Sequence, residues 1–182
     1  MSKIHIITRA RLNRAKQKVA GEMNRHGLWT DRMRMVPVML VPVGVAYGWI
    51  WYGGTGEICV PGVSLLKLHD FFMGNYTSLA DVLRHEFGHA VADTHRGLFR
   101  SRHFTIAFGR THESNDRSEY APAIHISRYA AKNPSEDFAE NFMHYIRCRG
   151  NLPLKHATPA IRRKWQFIHA LCRAIESGRA HW

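Results

Sequence analysis

Acidic residues are scarce in this 182-residue chain. Fourteen Asp and Glu stand against 26 Lys and Arg, a formal net charge of +12 at pH 7. That imbalance favours anionic partners: nucleic acid, acidic lipid surfaces or acidic peptides. No helix-turn-helix or zinc-finger pattern accompanies it, so a nucleic-acid partner is carried only as an alternative, beside a plain solvated basic surface. Cysteine is scarcer still. Cys59, Cys148 and Cys172 are too few and too scattered for a disulfide framework, and the absence of any CxxC pair excludes a zinc ribbon. Free thiols in a reducing, cytoplasmic compartment are the simplest reading. Long apolar runs are also missing. The opening MSKIHIITRARLNRAKQKVAGEMNRHG is basic and lacks the apolar centre of a secretory signal. The most apolar stretch, 36–54, is broken by Pro37, Pro42, Gly44 and Gly48, and reads as buried strands and not as a membrane span. Internal repeats and low-complexity segments are absent.

What remains is the composition of a globular domain, 45% hydrophobic and 22% charged. The chain is long enough to bury a core without covalent staples. The expected organisation is one domain over 1–182, with a basic N-terminal helix in 1–30, a sheet and a central helix in 31–97, and a helical part in 98–182. Ile7, Leu12, Ala15, Val19 and Met23 recur at helical spacing and predict an amphipathic helix over 8–26. Residues 35–43, 45–52 and 57–63 predict three strands, and 64–72 a short helix. Ser78 followed by Asp81 marks a strong helix start. Residues 98–109 predict a helix and the polar 110–124 an exposed loop. Helices are also predicted over 133–148, capped by Asn133 or Ser135, and over 158–176, with Pro159 in its first position.

The pentapeptide HEFGH, residues 85–89, falls on the helix that Ser78 opens. Residues four apart share a helical face about 6 Å apart along the axis, so His85 and His89 can bind one metal ion. Glu86 beside them can reach a water on that metal without being a ligand, which is the HExxH arrangement of zinc peptidases. Gly88 lowers helix propensity by roughly 1 kcal/mol against Ala, which implies that something packs closely there. A catalytic zinc needs a third protein ligand and an open position. His95 stands in the register of HExxHxxGxxH, but the position where that motif needs Gly is Ala92, and a left-handed turn is unfavourable for alanine. The motif's later Met-turn has no counterpart either, because Met143 falls inside a predicted helix. Glu136 and Glu140 share one face of the 133–148 helix. One can bind the metal while the other accepts a hydrogen bond from a ligand imidazole. The cost at Ala92 favours Glu136, with His95 kept as the alternative.

HEFGHAV followed by RYAAKNPSEDFAENF resembles the gluzincin peptidases, above all the catalytic domain of anthrax lethal factor and its bacterial relatives. In that family a tyrosine lies seven residues before the ligand glutamate and a second glutamate four residues after it. Tyr129, Glu136 and Glu140 stand at those offsets. The likeness covers roughly 78–176, including the closing ATPAIRRKWQFIHALCRAI. It implies an α+β, zincin-like fold, with a small twisted sheet packed on the active-site helix and a helical C-terminal part. It also implies Zn2+ on His85, His89 and Glu136, Glu86 as the base, Tyr129 as a transition-state hydrogen-bond donor and Glu140 behind a ligand histidine. His125 and His144, near these residues in sequence, are expected to be structural. The expected activity is endopeptidase hydrolysis of a peptide or protein substrate. The family's preference for basic substrate segments is not carried over to so basic a chain, for which an acidic substrate fits better. The alternatives are a metzincin-like peptidase using His95, a basic nucleic-acid-binding protein with a structural zinc site, and an effector protease aimed at one partner.

Overall fold

The computed structural model describes residues 6–44, 48–64 and 78–182. The predicted helix over 64–72 falls almost wholly outside them. Thr8 accepts the Arg11 N–H and opens α1, Arg9–Asn24, which buries Leu12, Val19 and Met23. The short α2, Asp31–Arg34, leads into β1, Val38–Gly44, followed by β2, Gly48–Trp51, and β3, Gly56–Ser64. The sheet order is β1-β3-β2. β3 runs parallel to β1, with Leu40 opposite Val60, and antiparallel to β2, with Trp49 opposite Ile58. β2 therefore forms one edge of the sheet. It reaches β3 through a tight turn in which the Tyr52 N–H donates to the Thr55 carbonyl at 2.8 Å.

α3, Leu79–Thr94, starts as predicted, with the Ser78 hydroxyl accepting the Asp81 N–H at 3.1 Å. It lies at the centre of the molecule, against α1 on one side and the sheet on another. Leu83, Phe87, Ala90 and Val91 are fully buried there, as are Ile58 and Val60 of β3. Each such large apolar side chain contributes roughly 1.5–3 kcal/mol when removed from water. The helix predicted over 98–109 is two helices, α4, Arg96–Phe99, and α5, Arg102–Phe108. Ser101 divides them: its extended backbone and its hydroxyl, which accepts the Phe104 N–H at 3.3 Å, form a fresh N-cap. Residues 110–124 are irregular, as expected, but not uniformly exposed. His112 packs edge-on against the Phe99 and Phe104 rings, at centroid distances of 5.2 and 5.3 Å.

α6, Pro134–Arg147, is capped by Asn133, which accepts the Glu136 N–H at 2.8 Å. α7, Pro159–Glu176, is capped by Thr158. Phe104, Phe108, Phe138 and Phe167 fill the space between α5, α6 and α7. The buried Lys164 of α7 reaches both Asp137 in α6 and the Ile124 carbonyl, tying the long loop to the start of α6. The fold is α+β, seven α-helices and a three-stranded mixed sheet among the described residues. None of these helices is long and apolar enough to cross a membrane.

Candidate metal centre

α3 and α6 pack face to face across Gly88. A Cβ at that position would stand 3.2 Å from the Cα of Ala139 and 3.2 Å from the Phe142 ring, inside ordinary contact distance. The close approach expected from this glycine is therefore an approach of α6, and it brings Glu136 over the two histidines of α3. His85 Nε2 lies 3.0 Å from Glu136 Oε2, His89 Nε2 lies 3.2 Å from the same oxygen, and the two Nε2 atoms are 3.2 Å apart. All three side chains are nearly buried. Among the described residues these three form a group that could hold a metal ion.

The triangle fits a small cation. Ligand atoms at 2.0–2.2 Å in tetrahedral array are about 3.3–3.5 Å apart, slightly wider than the sides found here. A proton shared between His85 and Glu136 would satisfy two of the three atoms. His89 Nε2, 3.2 Å from both, would then have to donate to the same Glu136 oxygen, setting two N–H groups 3.2 Å apart against each other on one acceptor. The outward-facing nitrogens are already engaged. His85 Nδ1 meets Glu140 Oε1 at 2.9 Å, and His89 Nδ1 meets the Ser135 hydroxyl at 3.2 Å. Such bonds fix the ring orientation and leave each Nε2 to the centre. Without a cation, a proton concentrates on His85. Burial opposes the charge, but hydrogen bonds to Glu136 and Glu140 outweigh it and push the group up to about 10. Burial likewise opposes ionisation of Glu136, yet the two imidazoles hold it well below the usual carboxylate range.

Around the triangle, Glu86 is buried and points one oxygen, Oε2, at the backbone N–H of Trp49 in the edge strand β2, at 2.8 Å. Tyr129 is 47% exposed, so it is not a core aromatic. Its hydroxyl donates to Glu136 Oε1 at 3.2 Å and its ring lies 5.6 Å from that of His85. Burial and the nearby carboxylates, Glu136 foremost, push its phenol up, which keeps the donor protonated. Glu140 also accepts from the Ser127 hydroxyl at 2.6 Å, and Ser127 in turn accepts the Ala130 N–H at 3.1 Å. This short chain joins the turn that carries Tyr129 to the carboxylate behind His85.

His95 stands apart from this group. Its Nδ1 lies 3.0 Å from the Val91 carbonyl of its own helix and 3.0 Å from the Thr94 hydroxyl. His125 bonds to Ser118 and to the Ala121 N–H, and His144 to Arg147. Three contacts had no signal in the sequence: Ser127 on Glu140, Ser135 on His89 and the Trp49 N–H on Glu86. The first depends on how a loop returns to a helix, and the second on how the first turn of α6 lies against α3. The third comes from a backbone atom, which no side-chain pattern encodes. Compared with protein-family models, curated proteins and solved structures, the chain matches none.

Proposed function

We propose that this chain is a zinc-dependent endopeptidase of the gluzincin type, with His85, His89 and Glu136 as metal ligands. The observation that carries the proposal is the convergence of those three ligand atoms within 3.0–3.2 Å of one another, beside a Glu86 oxygen, Oε1, with no hydrogen-bond partner among the described residues. The donor set of two imidazoles and one carboxylate suits zinc. Zinc bound there would lower the pKa of a water ligand toward ~7 and polarise a carbonyl group.

The residues of the chain supply the rest. Glu86 has its Oε2 held by the Trp49 N–H, which leaves Oε1 to take a proton from the attacking water and hand it to the departing amine. Tyr129, half in solvent, can turn its hydroxyl from Glu136 to the carbonyl oxygen of a peptide as negative charge gathers there. Glu140 keeps His85 in orientation, and Ser127 keeps Glu140 and the Tyr129 turn in register. A structural zinc site usually closes with four protein ligands, and no fourth His, Cys, Asp or Glu joins the group among the described residues. That favours catalysis over a purely structural centre. The engagement of His95 with its own helix favours Glu136 over the metzincin register.

The test is zinc titration of Glu136→Ala and His95→Ala against a chromophoric chelator, together with a peptide-library cleavage assay of the unmodified protein. Severe loss of zinc from Glu136→Ala, near-normal binding in His95→Ala and chelator-sensitive cleavage are expected. Stronger zinc loss from His95→Ala would sink the ligand set. Stoichiometric zinc with no cleavage of any peptide would sink the activity.

A further inference from the structure

At the far end of α6 lies an open hollow of about 360 Å3, lined by Arg25 at the end of α1, Arg149 just beyond α6 and Arg173 near the end of α7. Glu136 and Arg149 are thirteen residues apart along this helix and its cap, about 20 Å, so the hollow is separate from the metal centre. All three are solvent-exposed side chains of like charge on the wall of one concavity. The buried cations of the chain are paired with acids, Arg84 with Glu22 and Asp81, and Lys164 with Asp137. Here no carboxylate lies within 4.0 Å of any of the three among the described residues.

One acid, Glu176, lines the hollow, and three guanidiniums against one carboxylate leave a local charge of +2. His26, also on the wall, stays neutral. Burial, then the neighbouring Arg25 guanidinium, holds it below its ordinary range. The hollow also has neutral groups at hand. The Tyr145 hydroxyl is 3.1 Å from His169 Nδ1, and the amide of Asn151 stands on the rim. Arg149 is presented by a left-handed backbone, φ 54°, the one described non-glycine residue with positive φ. Helix C-termini favour a nearby cation in any case, by roughly 0.3–1 kcal/mol each. That accounts for an arginine at each helix end, but not for three of them lining one hollow against a single acid.

We propose that this hollow is a binding site for a small phosphate monoester, held by Arg25, Arg149 and Arg173. Such a group carries about −1.5 to −2 charges at pH 7, which matches the local excess, and its oxygens suit the planar fork of a guanidinium. The volume stands at the lower end of the range for small-molecule sites, ~300–1,000 Å3, and leaves space for an organic group on the phosphate.

The test is calorimetric titration of the full chain with inorganic phosphate and with phenyl phosphate, at ionic strength fixed with sodium chloride. The His ring resonances are followed in parallel. The expected result is saturable one-to-one binding, at least as tight for the monoester, with shifts at His26 and His169. Arg149→Gln and Arg173→Gln should each weaken it tenfold or more, and Arg102→Gln, on the exposed side of α5, should leave it unchanged. Three results would overturn the proposal: no binding beyond that of matched chloride, unchanged affinity in both Arg149→Gln and Arg173→Gln, or shifts confined to His85 and His89. Binding of long polyanions alone would overturn it too, because a diffuse basic surface needs no hollow.

Discussion

Glu86 differs from its neighbours in the candidate metal centre by what it does not touch. Neither of its oxygens belongs to the ligand triangle, and one is held by a backbone N–H. Glu86→Gln should therefore retain stoichiometric zinc and lose peptide hydrolysis, because the amide keeps the shape and removes the base. Metal analysis and a cleavage assay on one preparation check this, and loss of zinc would place Glu86 among the ligands. Tyr129→Phe removes a single oxygen from a half-exposed ring. Folding and zinc content should be unchanged while turnover falls about 100- to 1,000-fold, since losing one oxyanion donor typically costs ~2.7–4 kcal/mol. An unchanged rate would leave Tyr129 as a mere neighbour of Glu136. At this scale the sequence is informative wherever the spacing is local. His85 and His89 are one helical turn apart, and so are Glu136 and Glu140, so each pair was bound to share a face. Nothing local announces Ser127 or the Trp49 N–H, which reach their partners from a loop and from a strand edge.

Between elements, the quantity that matters is the separation of α3 from α6, and Gly88 sets it. Alanine there would gain roughly 1 kcal/mol in helix propensity. Its Cβ would also press on a backbone atom, the Cα of Ala139, and on the buried Phe142 ring, neither of which can move without the helix it belongs to. The two effects oppose each other in stability, so Gly88→Ala should shift the unfolding free energy by no more than about 1 kcal/mol. Zinc affinity has no such compensation. Moving α6 outward by a few tenths of an ångström displaces Glu136 from both imidazoles, and a loss of about 10- to 100-fold is expected, as for other disturbances behind a ligand. Chelator competition and urea unfolding on the same variant separate the two. Undiminished zinc affinity would show that helix spacing does not govern the site. Most helix limits were legible because their caps are written in the chain: Ser78, Asn133 before Pro134, and Thr158 before Pro159. The break between α4 and α5 has only a weak local signal: Ser101 stands between Arg100 and Arg102, and one capping residue weighs little against the apolar residues on both sides of it.

On the scale of the whole molecule, net charge was legible and its placement was not. His112, in a stretch that reads as solvated loop, is enclosed by Phe99 and Phe104, and burial above all pushes it down to about 4. His144 is also pushed to about 4, first by burial and then by Arg147. Both titrate near 6.5 when the chain is unfolded. For these two, the stabilising contribution is fully present above pH 6.5 and is lost as the pH falls toward 4, because the unfolded chain binds the extra protons. His85 in the metal-free protein has the opposite sign. Raised to about 10, it contributes fully below pH 6.5, and that contribution disappears as the pH rises through 10. Together the three predict that the stability of the metal-free protein is greatest near pH 6.5 and declines on both sides. Urea unfolding in the presence of a chelator at pH 9, 6.5 and 4.5 measures this. The acid side can be assigned to a residue. His112 alone accounts for at most roughly 3 kcal/mol between pH 6.5 and 4, so His112→Gln, which cannot take up a proton, should flatten that limb by about this amount. If the variant and the unmodified chain lose stability in parallel over that range, His112 is solvated in the folded state and does not pack against the two phenyl rings.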